Sequence, residues 1–298
     1  MIKKQTPTVT QANIVFFTTA VATLLGSAFF QPKLGLGTNL WINEFIYILL
    51  PPVLLARFYG WSFEDVYRYR KTSGKNHLIS ILSGISMWFF VFYVSKITRL
   101  FLDRYIGLMP TGEQTSSSVY QSFLLVIGMI ILAPICEETF FRGFVQKAYE
   151  GHNRKKGFIM AGVIFGSYHI LNGVSEVIPA CILGMGMGYL VYKTNAISTS
   201  MLFHAAVNIC AVFLGGIMEM SSTGTIPVWH HVIAFTGLIT SFLLLKSVKD
   251  DEHGSQIHNE DNKEKRIPVT GIVFLTLAAL FLIGMGAMEI ISRANGSF

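Results

Sequence analysis

The sequence predicts an all-α protein, a polytopic integral membrane helical bundle of about 8–9 transmembrane helices. Three observations carry that expectation. Of 298 residues, 52% are hydrophobic and only 13% are charged, against about 25% charged in a soluble domain; mean hydropathy is +0.52. The charges are confined to short stretches between apolar runs of about 17–25 residues, the length that crosses a bilayer as helix. Lipid offers no hydrogen-bond partners, so such runs must satisfy their own backbone as helices; no alternating pattern of barrel strands is present.

The candidate spans, in order, lie near 13–30, 41–59, 78–101, 119–140, 157–171, 176–192, 198–217, 228–247 and 268–291. The first follows MIKKQTPTVTQ; it is long for a signal peptide and many apolar runs succeed it, so it reads as a retained span. The fourth is interrupted by Pro134 and the fifth is the shortest. The triplet Gly184, Gly186 and Gly188 lies mid-span with no lysine after it, and reads as close helix packing rather than a nucleotide loop. Between the last two spans, the polar stretch 249–266 reads as a flexible cytoplasmic linker.

The formal charge is +6. With the N-terminus in the cytoplasm, eighteen of the 23 Lys and Arg residues fall on cytoplasmic segments. Lys33, Lys96, Arg99, Arg104 and Arg293 fall outside. This positive-inside bias supports nine spans with the C-terminus out. The basic residues thus follow topology and form no single patch, which excludes nucleic acid as a partner. Cys136, Cys181 and Cys210 have no metal or disulfide spacing and read as small buried apolar residues.

Ionisable groups inside a span are costly and face a partner or a cavity. Three segments hold them: ILAPICEETFFRGF with Glu137, Glu138 and Arg142; GVIFGSYHILNG with His169 and Asn172; and STSMLFHAAVNICAVF with His204 and Asn208. Glu138 and Arg142 are four apart and face each other, whereas Glu137 points about 100° away without a local partner. His204 and Asn208 share one helical face. At about 1.5 Å per residue, His204 lies roughly 9 Å in from Ser198 and His169 roughly 18 Å in from Gly157. These depths are compatible with one pocket open to the cytoplasm. A glutamate can take a proton from a water held by histidine, and a histidine with an asparagine can donate to an oxyanion. On the residues alone, the set is an intramembrane acid/base site, for hydrolysis or for proton transport.

Taken together, Glu-Glu-x-x-x-Arg (Glu137, Glu138, Arg142), Phe-x-x-x-His (Phe165, His169) and His-x-x-x-Asn (His204, Asn208) resemble the three motifs of the CAAX-protease and bacteriocin-processing family. This is also called the Abi or type II CAAX prenyl endopeptidase family. The resemblance covers about 119–217, leaving 1–118 as N-terminal helices outside that core and 218–298 as C-terminal helices with the polar linker. It implies an intramembrane endopeptidase acting on a membrane-associated protein or peptide within a lipid bilayer, in a bacterial plasma membrane, with the site toward the cytoplasm. Glu137 would be the general base, His169 would help bind the water, and His204 with Asn208 would form the oxyanion hole. Glu138 and Arg142 would shape the site, and Phe165 would pack against His169. The expected chemistry is of glutamate type without a cofactor; zinc on Glu137, His169 and His204 is the alternative. A non-enzymatic immunity or scaffold protein of the same fold and a proton-coupled transporter are the competing readings.

Overall fold

The computed structural model describes residues 6–108, 118–220, 226–249 and 266–296, so most of the 249–266 linker lies outside the described residues. Nine helices account for the architecture, with no strand among the described residues: α1 (Val9–Leu34), α2 (Leu36–Tyr59), α3 (Gly74–Tyr105), α4 (Val119–Glu150), α5 (Arg154–Tyr168), α6 (Val174–Thr194), α7 (Ile197–Met220), α8 (Val228–Lys246) and α9 (Val269–Asn295). Their starts are written in the sequence. Thr8 and Gln11 form a capping box, and Ser73, Ser118 and Asn153 each accept a backbone N–H three residues on, which satisfies amides that a helix start would otherwise leave open.

Eight of these helices are long and apolar enough to cross a membrane. The fifth expected span is the exception. Helix α5 has 15 residues, about 22 Å at 1.5 Å per residue, against about 30 Å of hydrocarbon. One 3₁₀ turn, His169–Asn172, follows it, and Gly173 at φ 130° ends the run. This short helix lies along α6 at very small separation. A Cβ on Gly162 would sit 2.7 Å from the Met185 backbone nitrogen, and one on Gly184 would sit 2.8 Å from the Gly162 carbonyl. A Cβ on Gly188 would meet the Phe158 carbonyl at 3.0 Å, while Gly186 has ordinary room. Two of the three glycines are therefore required by the α5–α6 approach.

Long-range hydrogen bonds define the two ends of the bundle. At one end the start of α1, the end of α4 and the start of α9 meet, Asn13 binding the Gly271 carbonyl at 2.9 Å and the Tyr149 hydroxyl at 2.7 Å. The connections 60–73, 151–153 and 195–196 lie at this end, as do Arg57, Arg68, Arg70, Lys71, Lys75 and Arg154; we call it the basic end. At the far end, Arg293 of α9 reaches Asp103 at 2.7 Å and the Gly107 carbonyl at 3.1 Å, and Glu289 accepts the Val174 N–H at 2.7 Å.

The basic end is closed by side chains. Segment 60–73 folds back over it, with Trp61, Val66, Tyr67 and Arg68 buried. Arg68 takes a left-handed φ of 59°, pairs with Glu150, and accepts the Ile197 N–H through its carbonyl at 2.9 Å. Tyr67 packs on Gly143, where a Cβ would sit 2.7 Å from its ring, and its hydroxyl donates to the Pro52 carbonyl. Burial pushes that hydroxyl well above the ordinary tyrosine range. Beneath it Phe140, Phe141, Phe144, Leu190 and Ile197 are fully enclosed.

Candidate active site

Helix α4 carries two π-helical stretches, Gly128–Leu132 and Thr139–Val145, on either side of Glu137 and Glu138. Such wide turns recur at functional sites because they leave backbone groups for side chains to use. The first stretch shows how. Ala133 donates to the Gly128 carbonyl, five residues back, and in the same register residue 134 would serve Met129. Residue 134 is proline and has no N–H to give. The Met129 carbonyl instead accepts from Nδ2 of Asn208 at 2.7 Å, which fixes α7 against α4 at the site.

The paired acids divide their roles as their spacing predicts. Glu138 and Arg142 have no exposed surface and pair at 3.1 Å. Arg142 also donates to the Gly184 carbonyl at 3.1 Å and lies 4.3 Å over the Phe165 ring. Nδ1 of His204 contacts the same Glu138 oxygen at 2.9 Å. An ionised carboxylate only accepts, so Nδ1 carries hydrogen and Nε2 is left for other partners. His169 is held likewise, its Nδ1 2.9 Å from the Phe165 carbonyl. Since that carbonyl can only accept, Nδ1 again donates. The Phe165 ring lies 4.5 Å from the His169 ring and 6.0 Å from that of His204, so Phe165 is the spacer between them.

Glu137, His169, His204 and Asn208 all line one cavity of about 440 Å³. Glu138 and Arg142 stand behind it and do not line it. Asn172 does line it, near its outer part. The cavity wall extends beyond the motif segments: Leu40 and Glu44 come from α2, and Trp88, Val91, Phe92, Ser95 and Arg99 from α3. Its middle is apolar. Its outer part is polar, where Ser95 donates to Glu176 at 2.7 Å and Arg99 pairs with Glu219 at 3.6 Å.

The cavity lies mainly in the half of the bundle away from the basic loops. On α3 the lining starts at Trp88 and climbs to Arg99, six residues short of the far end at Tyr105. On α6 it covers Glu176 to Met187, the far two thirds of Val174–Thr194. Helix α5 starts at the basic end, so the histidine that follows its last residue stands on the far side. Distances counted from helix starts placed the residues at compatible depths but did not show which way the space between them opens.

Glu44 is the residue the motifs do not supply. It is 3% exposed, and its carboxyl interacts with that of Glu137. One oxygen of each, Oε2, is buried without a hydrogen-bond partner. Arg142, the nearby cation, hydrogen-bonds to Glu138. The signal was present as an acid in the apolar segment WINEFIYILL, the same criterion that singled out Glu137, but its neighbour there is Asn43 and no second ionisable residue accompanies it. Cys136, Cys181 and Cys210 are free.

Residues 119–210 match the family model described as type II CAAX prenyl endopeptidase Rce1-like. This segment is similar to that family. It spans about a third of the chain and contains every motif residue from Glu137 to Asn208. No curated protein and no solved structure matches the chain. The protein is therefore a multi-pass membrane protein with a segment similar to the CAAX-type endopeptidases. As for zinc, no three His, Cys, Asp or Glu side chains among the described residues are grouped so as to hold a metal ion. Glu137, His169 and His204 share a cavity but not a ligand geometry.

Proposed function

We propose that the protein is an intramembrane endopeptidase that hydrolyses a peptide bond of a membrane-associated protein or peptide with a water activated by Glu137. The observation that carries this reading is the convergence of Glu137, His169, His204 and Asn208, from three helices, on one cavity. Nε2 of His169 is free to accept from the attacking water. As the water oxygen bonds to the scissile carbonyl carbon, Glu137 takes a proton. The carbonyl oxygen becomes an oxyanion, held by the second N–H of the Asn208 amide, with His204 completing the oxyanion site while its Nδ1–H rests on Glu138. When the carbon–nitrogen bond breaks, the proton on Glu137 passes to the leaving amine. Glu44 places a second carboxyl beside Glu137 on the cavity wall.

The test is cleavage of a panel of membrane-anchored and lipidated peptides by the purified protein. Glu137→Gln is expected to lower cleavage by about 10²–10⁴-fold, the range for a lost general base, with the melting curve unchanged. A strong chelator is expected to leave the wild-type rate unchanged. Loss of activity on chelation, restored by zinc, would replace the glutamate mechanism by a metal one. A panel left uncut, together with proton flux into liposomes that Glu137→Gln abolishes, would favour the transporter reading.

A further inference from the structure

Two independent features of the chain point the same way. The first is charge. The basic end gathers the connections 60–73 and 151–153 and most of the Lys and Arg residues, and such ends remain in the cytoplasm. The second is shape. That end is closed by segment 60–73, by the Arg68–Glu150 pair and by the fully enclosed Phe140, Phe144 and Tyr67, whereas the cavity occupies the other half and reaches Arg99, Asn172, Glu176 and Gly215. From these we infer that the cavity is loaded from the face of the membrane opposite the cytoplasm. The substrate class, resting on the endopeptidase reading above, is an apolar peptide segment presented on that face, such as the membrane-proximal part of an exported or outward-anchored chain.

The chemistry of the wall fits that class. A segment entering past Arg99, Asn172 and Glu176 meets polar partners for its backbone. It then meets Trp88, Val91, Phe92, Leu183 and Met187, which take apolar side chains. Only beyond these does it reach Glu137 and His204. Burying such side chains is worth about 25 cal/mol per Å², so the wall favours apolar residues near the scissile bond.

The side of the opening can be measured without a known substrate. In a protein whose three cysteines are replaced by alanine, Gly215→Cys places a thiol on the cavity wall and Gly74→Cys places one at the basic end; neither position has an atom within 4 Å of the added Cβ. A membrane-impermeant maleimide applied to intact cells is expected to label Gly215→Cys and to leave Gly74→Cys unlabelled until the membrane is permeabilised. Labelling of Gly74→Cys with protection of Gly215→Cys in intact cells overturns the inference, and so does labelling of Gly215→Cys only after permeabilisation. A second arm uses reporter peptides anchored on either leaflet of oriented vesicles. Cleavage confined to the outward reporter supports the inference, and cleavage confined to the inward one overturns it. If the labelling is as expected but Glu137→Gln and wild type are equally inactive on both reporters, the proteolytic reading fails and the side of the opening stands.

Discussion

Two arginines mark the two halves of this bundle. Arg142, toward the basic end, has no exposed surface and is held by Glu138, by the Gly184 carbonyl and by the Phe165 ring. Arg99, toward the far end, keeps 40% of its side chain exposed at the outer part of the cavity and pairs loosely with Glu219. The same side chain is a structural brace in one place and part of an entrance in the other. The packed half orients groups that the open half uses: Glu138 holds His204, and Phe165 spaces His204 from His169. Mutations in the packed half should therefore cost stability first and activity as a consequence. Those in the open half should cost activity first.

The largest departure is expected at Arg142. Arg142→Ala leaves Glu138 buried without its cation, a loss of about 3–5 kcal/mol; thermal unfolding in detergent should show a large fall. The neutral double replacement Glu138→Gln with Arg142→Met should recover much of that stability but not activity, since Nδ1 of His204 then lacks its carboxylate. Equal stability of Arg142→Ala and wild type would break the distinction between the halves.

Asn208→Ala tests the open half. Removing an oxyanion donor costs about 10²–10³-fold in turnover, while substrate affinity should change little. A smaller effect is expected at Gly184, where an added methyl meets the Gly162 carbonyl at 2.8 Å. Gly184→Ala should destabilise the α5–α6 pair by about 1–3 kcal/mol through overpacking, read as a lower unfolding temperature. The smallest concerns Glu44. Glu44→Gln should slow cleavage by about tenfold, ~1.4 kcal/mol of barrier, because the carboxyl beside Glu137 is lost. An unchanged rate would make Glu44 a packing residue.

Much of this was legible in the sequence. Long apolar runs fix helices because lipid leaves the backbone no alternative, so eight spans and their order follow from hydropathy. The pairing of Glu138 with Arg142 follows from a spacing of four, and the free position of Glu137 from its rotation away from them. Other features depend on contacts between distant residues. The link from Asn208 to Met129 arises because Pro134 lacks an N–H within a wide turn, and one-dimensional spacing shows the proline but not the carbonyl it deprives. Glu44 needs the approach of α2 to α4 before its carboxyl meets Glu137. The direction of the cavity needs the fold of segment 60–73, whose polar residues read as an ordinary loop until Arg68 is seen locked to Glu150.

That closed end has an electrical consequence. A water-accessible recess that stops at mid-membrane is a dead end for ions, so the protein can hold a wet reactive centre without short-circuiting the bilayer. The transmembrane voltage then falls mainly across the packed half, where a full potential of 100 mV is worth about 2.3 kcal/mol per elementary charge. Glu137 and His204, at the floor of the recess, stand near the top of that drop. On the orientation inferred above, Glu137 and His204 share water with the outer medium rather than with the cytoplasm.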